Sequence, residues 1–336
     1  MARPRRPAVR SAPSLLALLA LLGASCGSPA PSGTDAVTDR GGPGEDELAV
    51  AVASFDLAVG TDVRVLAAVF TSERALLGGG EVAFELGHLG DQPGGTATVD
   101  IRTTARWLAV PGSEPVAESG RPRPLNDPML SGVYAARIDL DRPGYWGLLV
   151  RAELEDGTVR EGRTVLRVLD EPAVVAVGEP APRTDNLTTD DVVAGRAPGI
   201  ALDSRMQGPD DPDPAPTLHA TTVAAALAAS RPVVVVIATP VYCQSRICGP
   251  LTEVMVPFAE RHAERIDVVH LEVWRDFETQ QLNDGAAEWI QTETGGNEPW
   301  VFLVGADGEV VARWDNVLDL DELEAMVAGL PLLGPR

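Results

Sequence analysis

Residues 233–250 read Val-Val-Val-Val-Ile-Ala-Thr-Pro-Val-Tyr-Cys-Gln-Ser-Arg-Ile-Cys-Gly-Pro. Val233 to Ala238 is an unbroken apolar run with no polar face. It fits a strand buried on both sides, as in a parallel sheet with helices above and below. Cys248-Gly249-Pro250 then opens a helix, because Pro suits a first turn where its missing N–H is not needed. Leu251, Val254, Met255, Phe258 and Ala259 repeat at helical spacing toward Arg265 and form one apolar stripe.

The same rhythm extends to both sides. Thr221 to Ala229 is an Ala-rich helix that stops at Arg231-Pro232. Asp267 to Val273 is a second strand, and Phe277 to about Thr292 is partly helical. Val301–Val304 and Glu309–Trp314 flank Gly305-Ala306-Asp307-Gly308 and predict a hairpin. Leu320 to Leu330 is a last helix with Asp319 as its N-cap. The order over 217–331 is α-β-α-β-α-β-β-α.

Chemistry concentrates on two cysteines. A thiolate at Cys248 would face the free N–H groups and positive dipole end of its helix, which lowers a thiol pKa and makes it reactive. Arg246 adds to this, and Gly249 and Pro250 shape the helix start. Cys243 lies five residues earlier, within reach for a disulfide. The bland alternative is an inert clip, worth about 2 kcal/mol for so short a loop.

The element order, with the cysteine motif between the first strand and its helix, resembles the thioredoxin fold. The likeness rests on the buried strand, on Cys248-Gly249-Pro250 and on Glu298-Pro299-Trp300-Val301-Phe302. It implies an α/β domain over 217–331 with Pro299 cis against the active cysteine. The backbone of Glu298 would pair with a substrate polypeptide, and Trp300 would line the substrate groove. The implied activity is thiol–disulfide exchange with thiols or disulfides of envelope or secreted proteins. Cys248 would be the nucleophile and Cys243 would resolve the mixed disulfide; the reverse assignment stays open. The chain departs from the family pattern: its spacing is C-x4-C, Leu251 replaces the usual second cysteine, Ile247 replaces a Trp, and the buried strand has no Asp. A non-enzymatic binding protein with a structural disulfide is the alternative. A third reading is Cu(I) delivery, since copper chaperones of this fold use C-x3-C and a distant His, and thiolates suit Cu(I). Trp300 to Asp307 contains no His, and His219, His262 and His270 read as structural, so no metal and no cofactor are assigned.

Residues 47–170 read as all-β. Short alternating strands, such as Val82, Phe84 and Leu86 against Glu81, Ala83 and Glu85, are separated by Gly-, Pro- and Asp-rich turns. This pattern suggests an immunoglobulin-like sandwich, with Trp146 as a core aromatic and His88 at the surface. Residues 171–216, with four prolines in 208–216, read as an extended acidic linker.

The chain has 336 residues, enough for two domains. Its 27 basic residues are all Arg and are outnumbered by 49 acids, for a net charge of −22. That balance argues against nucleic acid and against docking of the folded surface on anionic lipid. Residues 1–25 have four arginines, then Leu15 to Leu22, too short to span a bilayer, and predict a signal peptide. Leu22-Gly23-Ala24-Ser25-Cys26 resembles a bacterial lipobox. That implies lipid on Cys26, a flexible tether over 26–46 and a place on the outer face of the cytoplasmic membrane.

Overall fold

The computed structural model describes residues 36–38, 47–114, 116, 120–126, 131–243, 247–292 and 295–331. The expected leader, Cys26, Arg246 and most of the tether lie outside the described residues.

Eleven strands come first among the described residues. They are β1 (Ala36–Thr38), β2 (Ala49–Val52), β3 (Gly60–Phe70), β4 (Leu76–Gly78), β5 (Glu81–Gly90), β6 (Thr96–Thr98), β7 (Ile101–Ala109), β8 (Arg123–Leu125), β9 (Gly132–Leu140), β10 (Gly144–Glu153) and β11 (Val159–Val168). β1 pairs with β6; the others form one large sheet in the order β11-β10-β5-β7-β9-β3-β4-β8, with β2 on β3. Every pairing in it is antiparallel.

Alternation sets what this sheet buries. Val82, Phe84 and Leu86 from β5 join Tyr134, Ala136, Ile138 and Leu140 from β9 in one core. Trp146 is buried there too, and its Nε1–H donates to the Arg142 carbonyl at 3.2 Å. Each such side chain contributes about 1.5–3 kcal/mol when taken fully out of water.

A sandwich has two facing sheets, whereas these strands bond as one sheet curled round its core. Register shifts at Tyr145/Trp146 and between Gly60 and Val63 bend β10 and β3. The edges then meet: the Leu48 N–H donates to the Glu161 carbonyl and the Leu169 N–H to the Leu57 carbonyl, both at 2.8 Å. At the seam, a Cβ on Gly162 would stand 2.3 Å from the Leu48 carbonyl oxygen, so only Gly allows the approach.

The second sheet is built from the run that opened the sequence. Helices α1 (Thr189–Val193), α2 (Gly199–Leu202) and α3 (Val223–Ala228) precede β12 (Val233–Ile237). Then come α4 (Cys248–His262), β13 (Asp267–Leu271), the small hairpin β14 (Trp274–Asp276) and β15 (Gln281–Leu282), α5 (Asp284–Ile290), β16 (Trp300–Val304), β17 (Val310–Asp315) and α6 (Leu320–Ala328). The sheet order is β13-β12-β16-β17, parallel between β12 and β13 and antiparallel elsewhere. All five residues of β12 are buried. Val234 and Val236 face Leu251, Met255 and Phe258 of α4 and Leu323 and Val327 of α6. Val233, Val235 and Ile237 enter a separate core with Leu227 of α3 and Trp289 of α5. Asp319 caps α6 as its position predicts, accepting from the Glu322 N–H.

The segment 171–216, expected as an extended linker, is folded against this second sheet. It holds α1 and α2, and Ala201, Leu202, Asp203, Ser204, Met206 and Ala215 are buried. The prolines interrupt helices, but they do not prevent the backbone from meeting buried polar partners. Asn283 Nδ2 donates to the Ala201 carbonyl at 2.8 Å, and the Ser204 N–H donates to Glu272 Oε2 at 2.8 Å.

The described residues fall in one compact unit. Arg64 on β3 pairs with Asp315 at the end of β17 at 3.2 Å, and Arg313 pairs with Asp56 at 2.9 Å. Leu66, Leu108, Val110 and Val133 of the large sheet pack with Ile247 and Val317.

Candidate functional site

Cys243 and Cys248 are joined by a disulfide, with Cα atoms 6.0 Å apart. Cys248 is the first residue of α4 and is 0% exposed, whereas Cys243 is partly exposed. The expected attacking thiol is therefore the covered one. It lies in the core of the second sheet with Val236, Ala238 and Met255, while the neighbouring residues of α4 meet the large-sheet side. Ile247 sits among the large sheet's apolar residues, and a Cβ on Gly112 would touch Pro250 at 3.3 Å and Val254 at 3.4 Å. Gly249 lets the loop from β12 pass close by, since a Cβ there would lie 3.3 Å from the Pro240 carbonyl oxygen.

The Glu298–Pro299 peptide is cis and leads directly into β16. It brings in a side chain that sequence reasoning considered only for its backbone. The Glu298 carboxyl and the two sulfurs all lie within 4.8 Å of one another. Burial, then the charge of Glu272, pushes this carboxyl up to about 8. Glu272, just past β13, is 2% exposed, and burial pushes it up to about 7 against the hydrogen bonds it accepts. Those include the Ser204 N–H at 2.8 Å and the Trp274 N–H at 3.3 Å. Two carboxyls in one water-poor space cannot both ionise cheaply. Near neutral pH Glu298 therefore keeps its proton, and Glu272 is close to half-protonated.

Beside Cys243 the surface is apolar and aromatic. Val241 is 48% exposed and Phe277 40%. Tyr242 stacks on Phe277 with ring centres 4.2 Å apart, and Trp274 meets Phe277 edge-on at 5.5 Å. Trp300, expected in the substrate groove, is not part of this surface. It is 3% exposed, stacked on Phe302 at 5.4 Å, with Phe55 at 6.1 Å and Arg313 over its ring at 5.6 Å. Its indole is spent on packing the two sheets together.

A buried polar network lies deeper. His219 Nδ1 is 2.8 Å from Asp213 Oδ1, His219 Nε2 is 2.9 Å from His270 Nδ1, and His270 Nε2 is 3.0 Å from the Ala238 carbonyl oxygen. Both outer partners only accept, so the two rings complete a hydrogen-bonded chain from Asp213 to the Ala238 carbonyl. Burial raises the Asp213 carboxyl, but the bond to His219 and its charge outweigh that and bring it down to about 2. Burial, then the His219 charge, lowers His270 to about 4. Asp203, His219 and His270 also lie within 4.8 Å of one another. Each already has a protein partner, with Asp203 forked onto Arg205 at 2.9 and 2.7 Å, so no metal is assigned here. The two sulfurs are bonded to each other and offer no thiolate, so none is assigned there either.

No protein-family model matches the chain, and no curated protein matches it.

Proposed function

We propose that this chain is an exported, lipid-anchored thiol–disulfide exchange protein that acts on cysteines of envelope or secreted proteins. One observation carries the proposal: the Cys243–Cys248 bond opens helix α4 with one sulfur reachable and the other buried. A partner thiolate can then attack Cys243, while Cys248 leaves with the electron pair at the N-terminus of α4. In the opposite direction Cys243 is the attacker and Cys248 closes the bond. These roles reverse the first assignment from sequence. The exposed Val241, Tyr242 and Phe277 offer an apolar strip for a polypeptide beside the reacting sulfur.

The order β13-β12-β16-β17, the cysteines between β12 and α4 and the cis Pro299 before β16 support a thioredoxin-like reading of the second sheet. The antiparallel strands packed round Trp146 support an immunoglobulin-like, all-β reading of the first, built from one sheet rather than two. Lipid on Cys26 rests on Leu22 to Cys26 alone. The complete burial of Cys248 also favours a second reading, an inert clip in a binding protein.

Single Cys→Ser variants, each also carrying Cys26→Ser, separate the two. With a disulfide-bonded substrate protein, Cys248→Ser should accumulate a mixed disulfide on Cys243, and Cys243→Ser should trap far less. No adduct with either variant rejects exchange and leaves the clip.

A further inference from the structure

We infer that the Glu298 carboxyl is the proton donor and acceptor for Cys248 when the Cys243–Cys248 bond opens and closes, an inference that rests on the exchange proposed above. The geometry starts from an unpaired atom. Glu298 Oε2 is buried and has no hydrogen-bond partner. Buried polar atoms in folded chains are nearly always paired, so an exception calls for a reason. The sulfurs within 4.8 Å supply one. A disulfide has no S–H to offer, so the atom is partnerless in the oxidised chain. A thiol or thiolate on Cys248 would give it a partner, and only then.

Strand β12 contributes no acid that could do this instead. Among the described residues, the titratable groups facing Glu298 are Glu272 beyond β13, Cys243 in the loop after β12 and Cys248 on α4. Glu272 is a positioning residue: its carboxyl is held by Ser204 and Trp274 and discourages Glu298 from giving up its proton to water.

The step balances with a protein dithiol as co-reactant. One thiolate of the dithiol attacks Cys243 Sγ. A bond forms between those sulfurs, the Cys243–Cys248 bond breaks, and its electron pair goes to Cys248 Sγ. That sulfur takes the proton of the Glu298 carboxyl. The second thiolate of the partner then attacks its own sulfur in the mixed disulfide and releases Cys243, which is protonated from water. The partner leaves as a disulfide, two electrons and two protons poorer, and Glu298 regains its proton from those the partner gave to water. In reverse, the Glu298 carboxylate takes the Cys248 proton as the bond closes.

The test follows reduction of the bond by dithiothreitol between pH 5 and 9, with rates corrected to the reagent's thiolate, on the full chain carrying Cys26→Ser. The wild-type rate should fall above about pH 8, as Glu298 loses its proton. Glu298→Gln should lose that bend and react at least tenfold more slowly at pH 6. Glu272→Gln should move the bend to lower pH. A Glu298→Gln profile that superimposes on wild type overturns the inference. A bond that no thiol opens in either protein overturns the exchange proposal and this inference with it. An NMR titration of the Glu298 carboxyl in the wild-type chain needs no variant: its midpoint should differ between the oxidised and reduced forms, and an identical midpoint in both overturns the proton link.

Discussion

Arg64 and Asp315 pair at 3.2 Å across a sequence separation of 251, and both side chains are about nine-tenths buried. Asp315 also accepts the Phe55 N–H at 2.6 Å. Burial lowers Arg64 and raises Asp315, each against the pull of its partner. Removing one member strands the other charge away from water. Arg64→Ala or Asp315→Ala should therefore cost about 3–5 kcal/mol, and replacing both with apolar residues should cost less than either alone. Urea unfolding of the four proteins checks this. Single-variant losses below about 1 kcal/mol would show the pair to be solvated.

The buried carboxyls set a pH dependence of stability. Folded Glu272 and Glu298 keep their protons to about pH 7 and about pH 8. An unfolded Glu releases its proton near about 4.3. Unfolding therefore sheds protons across that window, and stability falls as pH rises through it. His270 acts the other way: lowered to about 4 when folded, it costs stability as pH drops below about 6.5. Between about pH 6.5 and 8 the carboxyls dominate these three groups, with a slope of at most about 1.4 kcal/mol per pH unit for each. The urea midpoint should decline over that interval in wild type and decline less steeply in Glu272→Gln. A midpoint that climbs there would contradict the raised carboxyls.

Replacing both Cys243 and Cys248 with Ala should cost about 2 kcal/mol, the chain-entropy value for so short a loop. Cys248 is one member of a core built also from α4, α6 and β12, so the far-ultraviolet circular dichroism should be unchanged. Collapse of the second sheet would mean the bond is structural first.

Local signals in the sequence were readable where they did not depend on distant residues. The run Val233–Ala238, the hairpin around Asp307-Gly308 and the Asp319 cap all follow from nearest neighbours. Glu298 was legible only as the residue before a proline, because its carboxyl gains meaning from sulfurs 50 and 55 residues earlier. Trp300 was misplaced because Phe55, 245 residues upstream, closes over it. The segment 171–216 was misjudged because its prolines are local, while its partners Glu272 and Asn283 are not. One signal was present but unread. In Val268-Val269-His270-Leu271-Glu272, the two polar residues stand two apart, on one face of an otherwise apolar strand. That spacing marks a polar stripe in a core.

Neighbouring side chains of β12 enter different cores, and this bears on which substitutions the chain tolerates. On β9, Arg137 and Asp139 point outward between Ala136, Ile138 and Leu140, so a substitution scan there would alternate between permissive and intolerant positions. Across Val233–Ile237 the same scan would show no permissive position at all. Variation in that part of the chain is left to the loop that follows, where the cysteines are.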